Sequence, residues 1–229
     1  MIKWVFLDRD GTLTRNSEEW MQLRREKFLE WSGKPLDESD EFFNKHFKKV
    51  LHGGYPFAPY KTVEQEFSFF RQWFLSVFTE YGITENAEER ADFLTEHLWY
   101  LKKELFPETL EVLEYFKAHG YKMGVISDCP PSLELTLERC GIYDFFQVFA
   151  ASSLVGIGKP DKGIFSWAVN KAGVKFDECL YVDDCQEEAL AARKYGMISF
   201  WLDRSKEHSG EWIAHNLLKL IEYEKSIQN

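Results

Sequence analysis

Cysteine is scarce in this sequence: four in 229 residues, at positions 129, 140, 179 and 185. None forms a Cys-x-x-Cys pair and none has a histidine at ligand spacing, which argues against a zinc site and against a disulfide framework. Positive charge is also short, with 28 Lys and Arg against 38 Asp and Glu and a formal net charge of -10. That field repels polyanions and excludes nucleic acid and anionic membrane surfaces as partners, although local cations in a dry cleft can still hold a small anion. The opening apolar run, Trp4 to Leu7, meets charge too soon for a signal peptide or a membrane anchor, and the expectation is a cytoplasmic protein. No internal repeat or low-complexity tract is present.

What the chain does have is material for a core. Hydrophobic residues make up 45% of it, with 20 Phe, 10 Tyr and 8 Trp, so burial can oppose chain entropy in one large domain or two modest ones. Short apolar runs each end in polar residues: Trp4 to Leu7 before Asp8-Arg9-Asp10-Gly11-Thr12, Tyr121 to Ile126 before Ser127-Asp128, and Phe145 to Ala151 before Ser152-Ser153. Leu180 to Val182 runs into Asp183-Asp184, and Ile198 to Leu202 into Asp203-Arg204. Helical patterns over 107–119, 132–140, 161–172, 186–195 and 210–224 separate these runs.

This alternation predicts an α/β fold, a Rossmann-like parallel sheet with helices on both faces and ligands beyond the carboxyl ends of the strands. The core is expected from residues 1–13 and 105–229. Between them, residues 14–104 show helical patterns (17–32, 36–51, 62–81, 86–104) and no convincing strand, which reads as an inserted all-helical domain. Its aromatic stripe of Phe67, Phe69, Phe70, Trp73, Phe74 and Phe78 is read first as the core of that insert and second as a partner surface.

Asp8 and Asp10 stand two apart at a strand end, where one ionised carboxylate can attack phosphorus and a second can protonate the leaving oxygen and then activate water. Such chemistry gathers anions and needs cations and donors around it. Ser127 offers a hydroxyl, Lys159 in Gly158-Lys159-Pro160-Asp161 a mobile point charge, and Asp184 a ligand for Mg²⁺. Thr12 and Asp128 flank these positions as further candidate substrate contacts, Asp128 reading equally as a cap. Arg9 lies between the two acids, and strand alternation points it away from them into a structural ion pair. Cys129 and Cys185 adjoin motifs, and a role as small buried residues explains them equally well.

The motifs DRDGT, ISD, GKPD and VDD, in this order, resemble those of the haloacid dehalogenase superfamily. The stretches FPETLEVLEYFKAHGYKMGVIS, SSLVGIGKPDKGIFSWAV and YVDDCQEEALAARKYGM look like the subfamily that includes phosphoglycolate phosphatase, and the insert sits where that subfamily carries a helical cap. The resemblance implies Asp8 as nucleophile, Asp10 as general acid and base, Ser127 as phosphate ligand and Lys159 as the cation beside the phosphorylated Asp. It also implies Mg²⁺ held by Asp8, the Asp10 carbonyl and Asp184. The family often has Gly-Asp and a further acid four residues on, whereas this chain reads Asp183-Asp184 and then Glu188, leaving the roles of Asp183 and Glu188 open.

The implied activity is Mg²⁺-dependent hydrolysis of a small phosphorylated metabolite through an aspartyl-phosphate, by a monomer or homodimer. The alternatives are a phosphomutase of the same family and a non-catalytic binding module. Residues 42–63 contain no acid but carry Lys45, His46, His52 and Lys61 among aromatics. Their turn at His52 to Tyr55 is a candidate selector of the substrate's leaving group, weighed against a solvated basic helix face.

Overall fold

The computed structural model describes residues 1–50, 60–96 and 103–228. Its first strand, β1 (Trp4–Leu7), is buried at every position. A strand without an exposed face reads as a continuous apolar run, the pattern of a parallel strand covered on both sides. After β1 the chain forms β2 (Thr14–Asn16), which pairs with β3 (Lys103–Leu105) in a separate two-stranded ribbon. The chain divides into two compact units: Asn16–Lys103 with Pro130–Ser132, and Met1–Arg15 with Glu104–Cys129 and Leu133–Asn229.

The inserted unit contains α1 (Glu18–Ser32), α2 (Asp40–Val50), α3 (Val63–Tyr81) and α4 (Ala87–Glu96). The Thr62 side chain caps α3 by accepting from the Gln65 N–H at 3.2 Å, and Gly82, at φ 71°, ends it. The aromatic stripe is core: Phe69, Phe70, Trp73, Phe74 and Phe78 are buried, with Phe47 packed on Phe69 and Phe28 on Phe78. Two of the basic residues noted in the sequence are tied to α3. Lys45 pairs with Glu80 at 2.7 Å, and buried His46 meets Ser76 through Nδ1 and Glu80 through Nε2. His52, Tyr55 and the turn they form lie outside the described residues.

Three expectations for element boundaries are corrected. α2 starts at Asp40 rather than 36, because the Asp37 carboxylate accepts from the Ser39 N–H and the Ser39 hydroxyl from the Phe42 N–H, a turn followed by a cap. The segment expected to be helical to 104 ends instead in β3, so the insert is not wholly helical; pairing with β2 outweighs the local helical pattern there. The expected helix 210–224 starts only at Leu218, and part of its first half is a strand at Ile213–Ala214.

In the other unit, β1 pairs in parallel with β4 (Lys122–Ser127) and β6 (Cys179–Asp183). β5 (Val148–Ala151) extends the sheet beyond β4, and β7 (Ile198–Leu202) and β8 (Ile213–Ala214) extend it beyond β6. The order is β5-β4-β1-β6-β7-β8, with every pairing parallel. β8 occupies part of the expected helix 210–224 because Trp201 and Asp203 donate their N–H groups to Trp212 and Ala214. Asn216 then accepts from the Leu218 N–H, and α10 runs Leu218–Gln228.

Alternation along β1 divides the core. Val5 and Leu7 join a cluster with residues of α5 (Thr109–Ala118), α6 (Leu133–Arg139) and α10. Trp4 and Phe6 pack on the other face with Tyr181 and with residues of α8 (Lys162–Ala172) and α9 (Gln186–Lys194). A single turn, α7 (Ser152–Val155), precedes α8. After β5 the chain returns across β4 and β1 to form β6, so the strand order reverses beside β1, where parallel sheets open a crevice at their carboxyl edge. Among the described residues no helix is long and apolar enough to cross a membrane.

Close packing across this sheet predicts the effect of one substitution. A Cβ at Gly124 would stand 2.5 Å from the Phe6 ring and 3.1 Å from the Val148 Cβ. Gly124→Val should therefore lower the unfolding free energy by about 3 kcal/mol, read as a lower urea midpoint. An unchanged midpoint would contradict this register.

Candidate active site

Register brings the first acids together. Leu7 is level with Val182 on β6, so Asp8 stands level with Asp183. Trp4, Phe6, Cys179 and Tyr181 pack on one face, and period-two alternation sends Asp8 and Asp183 out on that same face. The loop before α8 arrives there, since the Asp161 carboxylate caps α8 by accepting from the Gly163 N–H at 2.6 Å, and Lys159 precedes it by two residues.

The Lys159 ammonium, 2% exposed, donates to Asp8 Oδ1 at 2.8 Å and to Asp183 Oδ2 at 2.7 Å, and pairs with Glu188 Oε2 at 2.6 Å. Its three donors meet three carboxylates. Asp183 is fully engaged: Oδ2 also accepts from the Tyr181 hydroxyl, and Oδ1 from the Cys185 N–H at 2.9 Å. Glu188, in the first turn of α9, thus contacts Lys159, and Asp183 positions it. The Asp128 carboxylate accepts from the Lys159 backbone N–H at 2.9 Å, which fixes the loop from the other side.

Asp184 faces solvent and lies over Gly11. A Cβ at Gly11, whose φ is 79°, would come within 2.0 Å of Asp184 Oδ2, so glycine here leaves room for that carboxylate. The Trp201 indole N–H donates to the Asp184 carbonyl at 3.0 Å. One oxygen from each of Asp8, Asp183 and Asp184 lies within 4.8 Å of the others. Hard, anionic oxygen donors in this number suit a hard divalent cation such as Mg²⁺.

Asp10 contributes no carboxylate to that cluster. Its Oδ2 accepts from Arg9 Nη2 at 2.6 Å and its Oδ1 from the Thr14 hydroxyl at 3.2 Å. The expectation that Arg9 points away from both acids is corrected: it leaves the strand opposite Asp8, but its long side chain curls back to Asp10, with Thr136 Oγ1 at 3.5 Å from Nη1. Thr12 is fully buried, and its hydroxyl has no hydrogen-bond partner among the described residues. Ser127 ends β4, 2% exposed, two residues before the buried Cys129 thiol. Burial pushes that thiol up to about 12, so it is protonated and inert near neutral pH.

The charges do not balance. Burial pushes Asp8 up to about 6, Lys159 pulling the other way and Asp183 adding to the rise. Asp184 is exposed as a residue, yet the protein packed around its carboxyl strips enough water to push it up to about 7, with Asp8 and Asp183 adding to the rise; burial likewise raises Asp183. Burial alone would lower Lys159, yet Asp8, Tyr181, Asp183 and Glu188 hold it well above its ordinary value. The two directions agree once neighbours are counted: Lys159 meets several anions, whereas each carboxylate shares one cation. One ammonium against Asp8, Asp183, Asp184 and Glu188 leaves an excess of negative charge that a divalent ion would offset. A broad groove lined by Lys3, Trp4, Tyr121, Lys122 and Tyr223 opens at the opposite, amino edge of the sheet and holds none of these groups.

Sequence spacing marked Asp8, Lys159 and Asp184, which converge. It left Asp183 and Glu188 open and missed Tyr181, although Tyr181 and Asp183 share a strand face two residues apart.

The chain is similar to known proteins. Residues 2–196 match a family model described as a haloacid dehalogenase-like hydrolase. A glyceraldehyde 3-phosphate phosphatase from Methanocaldococcus jannaschii is 28% identical over 54% of this chain and 58% of its own length, so the match spans less than two thirds of that relative. Pyrimidine 5'-nucleotidase YjjG from Escherichia coli is 26% identical over 92% of this chain and 90% of its own. A solved HAD phosphatase from Thermococcus onnurineus shares the fold, with a TM-score of 0.66 at 23% identity over 97% of each chain.

The raised carboxylates set the pH dependence of the metal-free chain. Asp8 and Asp184 titrate near 3.8 when unfolded and at about 6 and about 7 when folded, so between these values the native state binds more protons. Stability in EDTA should rise as pH falls from 8 towards 5. Asp184→Asn should raise the melting temperature at pH 8; added Mg²⁺ should raise it further in the parent chain and not in this variant. A melting temperature in EDTA that climbs with pH across this window would contradict the geometry of the cluster.

Proposed function

The chain belongs to the haloacid dehalogenase-like hydrolase family, and on that footing we propose that it hydrolyses a small phosphate monoester through a phosphorylated Asp8. The observation that carries this reading is the Lys159 ammonium on Asp8 Oδ1 beside the Asp183 and Asp184 carboxylates, at the carboxyl edge of the sheet where its strand order reverses. The relatives named for glyceraldehyde 3-phosphate and pyrimidine 5'-nucleotides support a small phosphorylated metabolite as the substrate class.

In this mechanism an Asp8 oxygen attacks phosphorus while the bond from phosphorus to the ester oxygen breaks, and Asp10 gives the leaving oxygen a proton. Asp10 then takes a proton from water as that water attacks the aspartyl-phosphate, which releases inorganic phosphate and restores the Asp8 carboxylate. Lys159 holds Asp8 in line and offsets its charge. The Thr12 and Ser127 hydroxyls are donors for the phosphate oxygens, and the buried Thr12 hydroxyl without a partner supports that role. Arg9 and Thr14 direct the Asp10 carboxylate. Mg²⁺, held by Asp8, Asp184 and the Asp10 carbonyl, would supply the positive charge that lets two anions approach. Asp183 is assigned to Lys159 rather than to the metal because both its oxygens already accept hydrogen bonds.

Assayed against a panel of metabolite phosphates with Mg²⁺, the parent chain should turn over at least one ester, and EDTA should abolish that turnover. Asp8→Asn should lower kcat roughly a thousandfold or more; turnover that survives in this variant would show that Asp8 is not the nucleophile. Asp10→Asn should behave differently with p-nitrophenyl phosphate, whose leaving group departs without a proton. One equivalent of nitrophenol should appear in a burst, followed by slow turnover; steady turnover at the parent rate would remove Asp10 from the mechanism.

A further inference from the structure

Arg204, at the carboxyl end of β7, is absorbed by no part of the mechanism above, yet it reaches the loop that carries both acids. Its Nε donates to the Gly11 carbonyl at 2.9 Å and its Nη2 to the Thr12 carbonyl at 2.7 Å. Its Nη1 pairs with Glu108 Oε1 at 2.8 Å, and its guanidinium carbon lies 3.5 Å from the centre of the Phe106 ring. All three nitrogens, each to a different acceptor, and one face of the plane are thus in use. The side chain is 23% exposed and Glu108 12%, so solvent screens the pair little.

Glu108 is itself fixed, since it also accepts from the Leu217 N–H at 3.3 Å. The next carbonyl of the loop is held from the same direction: Leu13 accepts from the Phe106 N–H at 3.2 Å and from the Thr109 hydroxyl at 2.9 Å. Three consecutive carbonyls, at 11, 12 and 13, are therefore anchored from outside the loop, two of them by Arg204. Two features of the site depend on where this backbone lies. Gly11 must leave the space that the Asp184 carboxylate fills, and Thr12 carries the buried hydroxyl without a partner.

We propose that Arg204 is a positioning residue that sets the backbone of residues 10–12, and through it the affinity of the Asp8 and Asp184 carboxylates for the divalent ion. The inference rests on the phosphatase reading above. A planar fork is required, because a lysine ammonium cannot reach two adjacent carbonyls and a carboxylate while lying flat on a ring.

The test measures Mg²⁺ affinity by calorimetry on the metal-free protein, alongside kcat on the best ester of the panel. Arg204→Lys keeps the charge and the aliphatic stem and so protects the fold, which far-UV circular dichroism checks. It should weaken Mg²⁺ binding and lower kcat by about 10–100-fold, the range for groups that orient metal ligands. Arg204→Ala should show the same loss and recover part of it when free guanidinium, but not an equal concentration of sodium, is added. Arg193→Lys is the control: Arg193 also donates to a carbonyl, that of Ser199, and stacks on Trp212, but it lies in the last turn of α9, away from Glu188. It should leave Mg²⁺ affinity unchanged. Parent-like Mg²⁺ affinity and kcat in Arg204→Lys would overturn the inference alone. A parent chain that neither binds Mg²⁺ nor turns over any ester would overturn the phosphatase reading and this inference with it.

Discussion

A buried ammonium shared by three carboxylates is the constraint on which the site depends. Lys159 cannot be withdrawn without leaving Asp8, Asp183 and Glu188 close together and uncompensated, and none of those acids can be removed without altering what the others feel. The fold answers this demand with rigid parts. Asp8 and Asp183 end adjacent parallel strands, Glu188 opens a helix, and Asp128 holds the backbone of Lys159 itself. Each acid is therefore delivered by an element whose position is set by apolar packing elsewhere in the sheet.

The distribution of the other cations follows the same logic. Arg9 is given to Asp10, and Arg204 to the Gly11 and Thr12 carbonyls and to Glu108. With Lys159, these three positive side chains are partnered by the protein's own acceptors. They hold the clustered acids and the loop that follows β1 in place rather than standing free for an anion. In a chain that is acidic as a whole, the proposed phosphatase reading would then leave attraction for a phosphate to a metal ion and to neutral donors such as the Thr12 hydroxyl.

Much of this was legible beforehand, for a physical reason. A buried parallel strand reads as an unbroken apolar run, and the polar residues that follow must sit at its carboxyl end, so Asp8, Ser127 and Asp184 could be placed on one edge of a sheet without coordinates. What could not be read depends on reach and on partners distant in sequence. Alternation correctly put Arg9 on the face opposite Asp8, but not the curl of its side chain onto Asp10. Glu188 looked like any acid favoured in the first turn of a helix, and nothing local to Arg204 marks it as the brace of a loop 192 positions earlier. The misread segments failed in the same way: Ile213–Ala214 and Lys103–Leu105 became strands only because a neighbouring strand was available to pair with them.

The placement of the insert between β1 and the rest of the sheet has a consequence for how the molecule is made. Asp8 leaves the ribosome well before its cation, which is encoded 151 residues later, and both strands that flank β1 are encoded beyond the insert. The helices of the insert need mostly partners from within their own stretch and can assemble during synthesis, whereas β1 stays an unpaired apolar strand until β4 and β6 have emerged. The sheet is therefore the last part of the protein to close, and a strand buried at every position in the finished fold is the one exposed longest to chaperones and to aggregation.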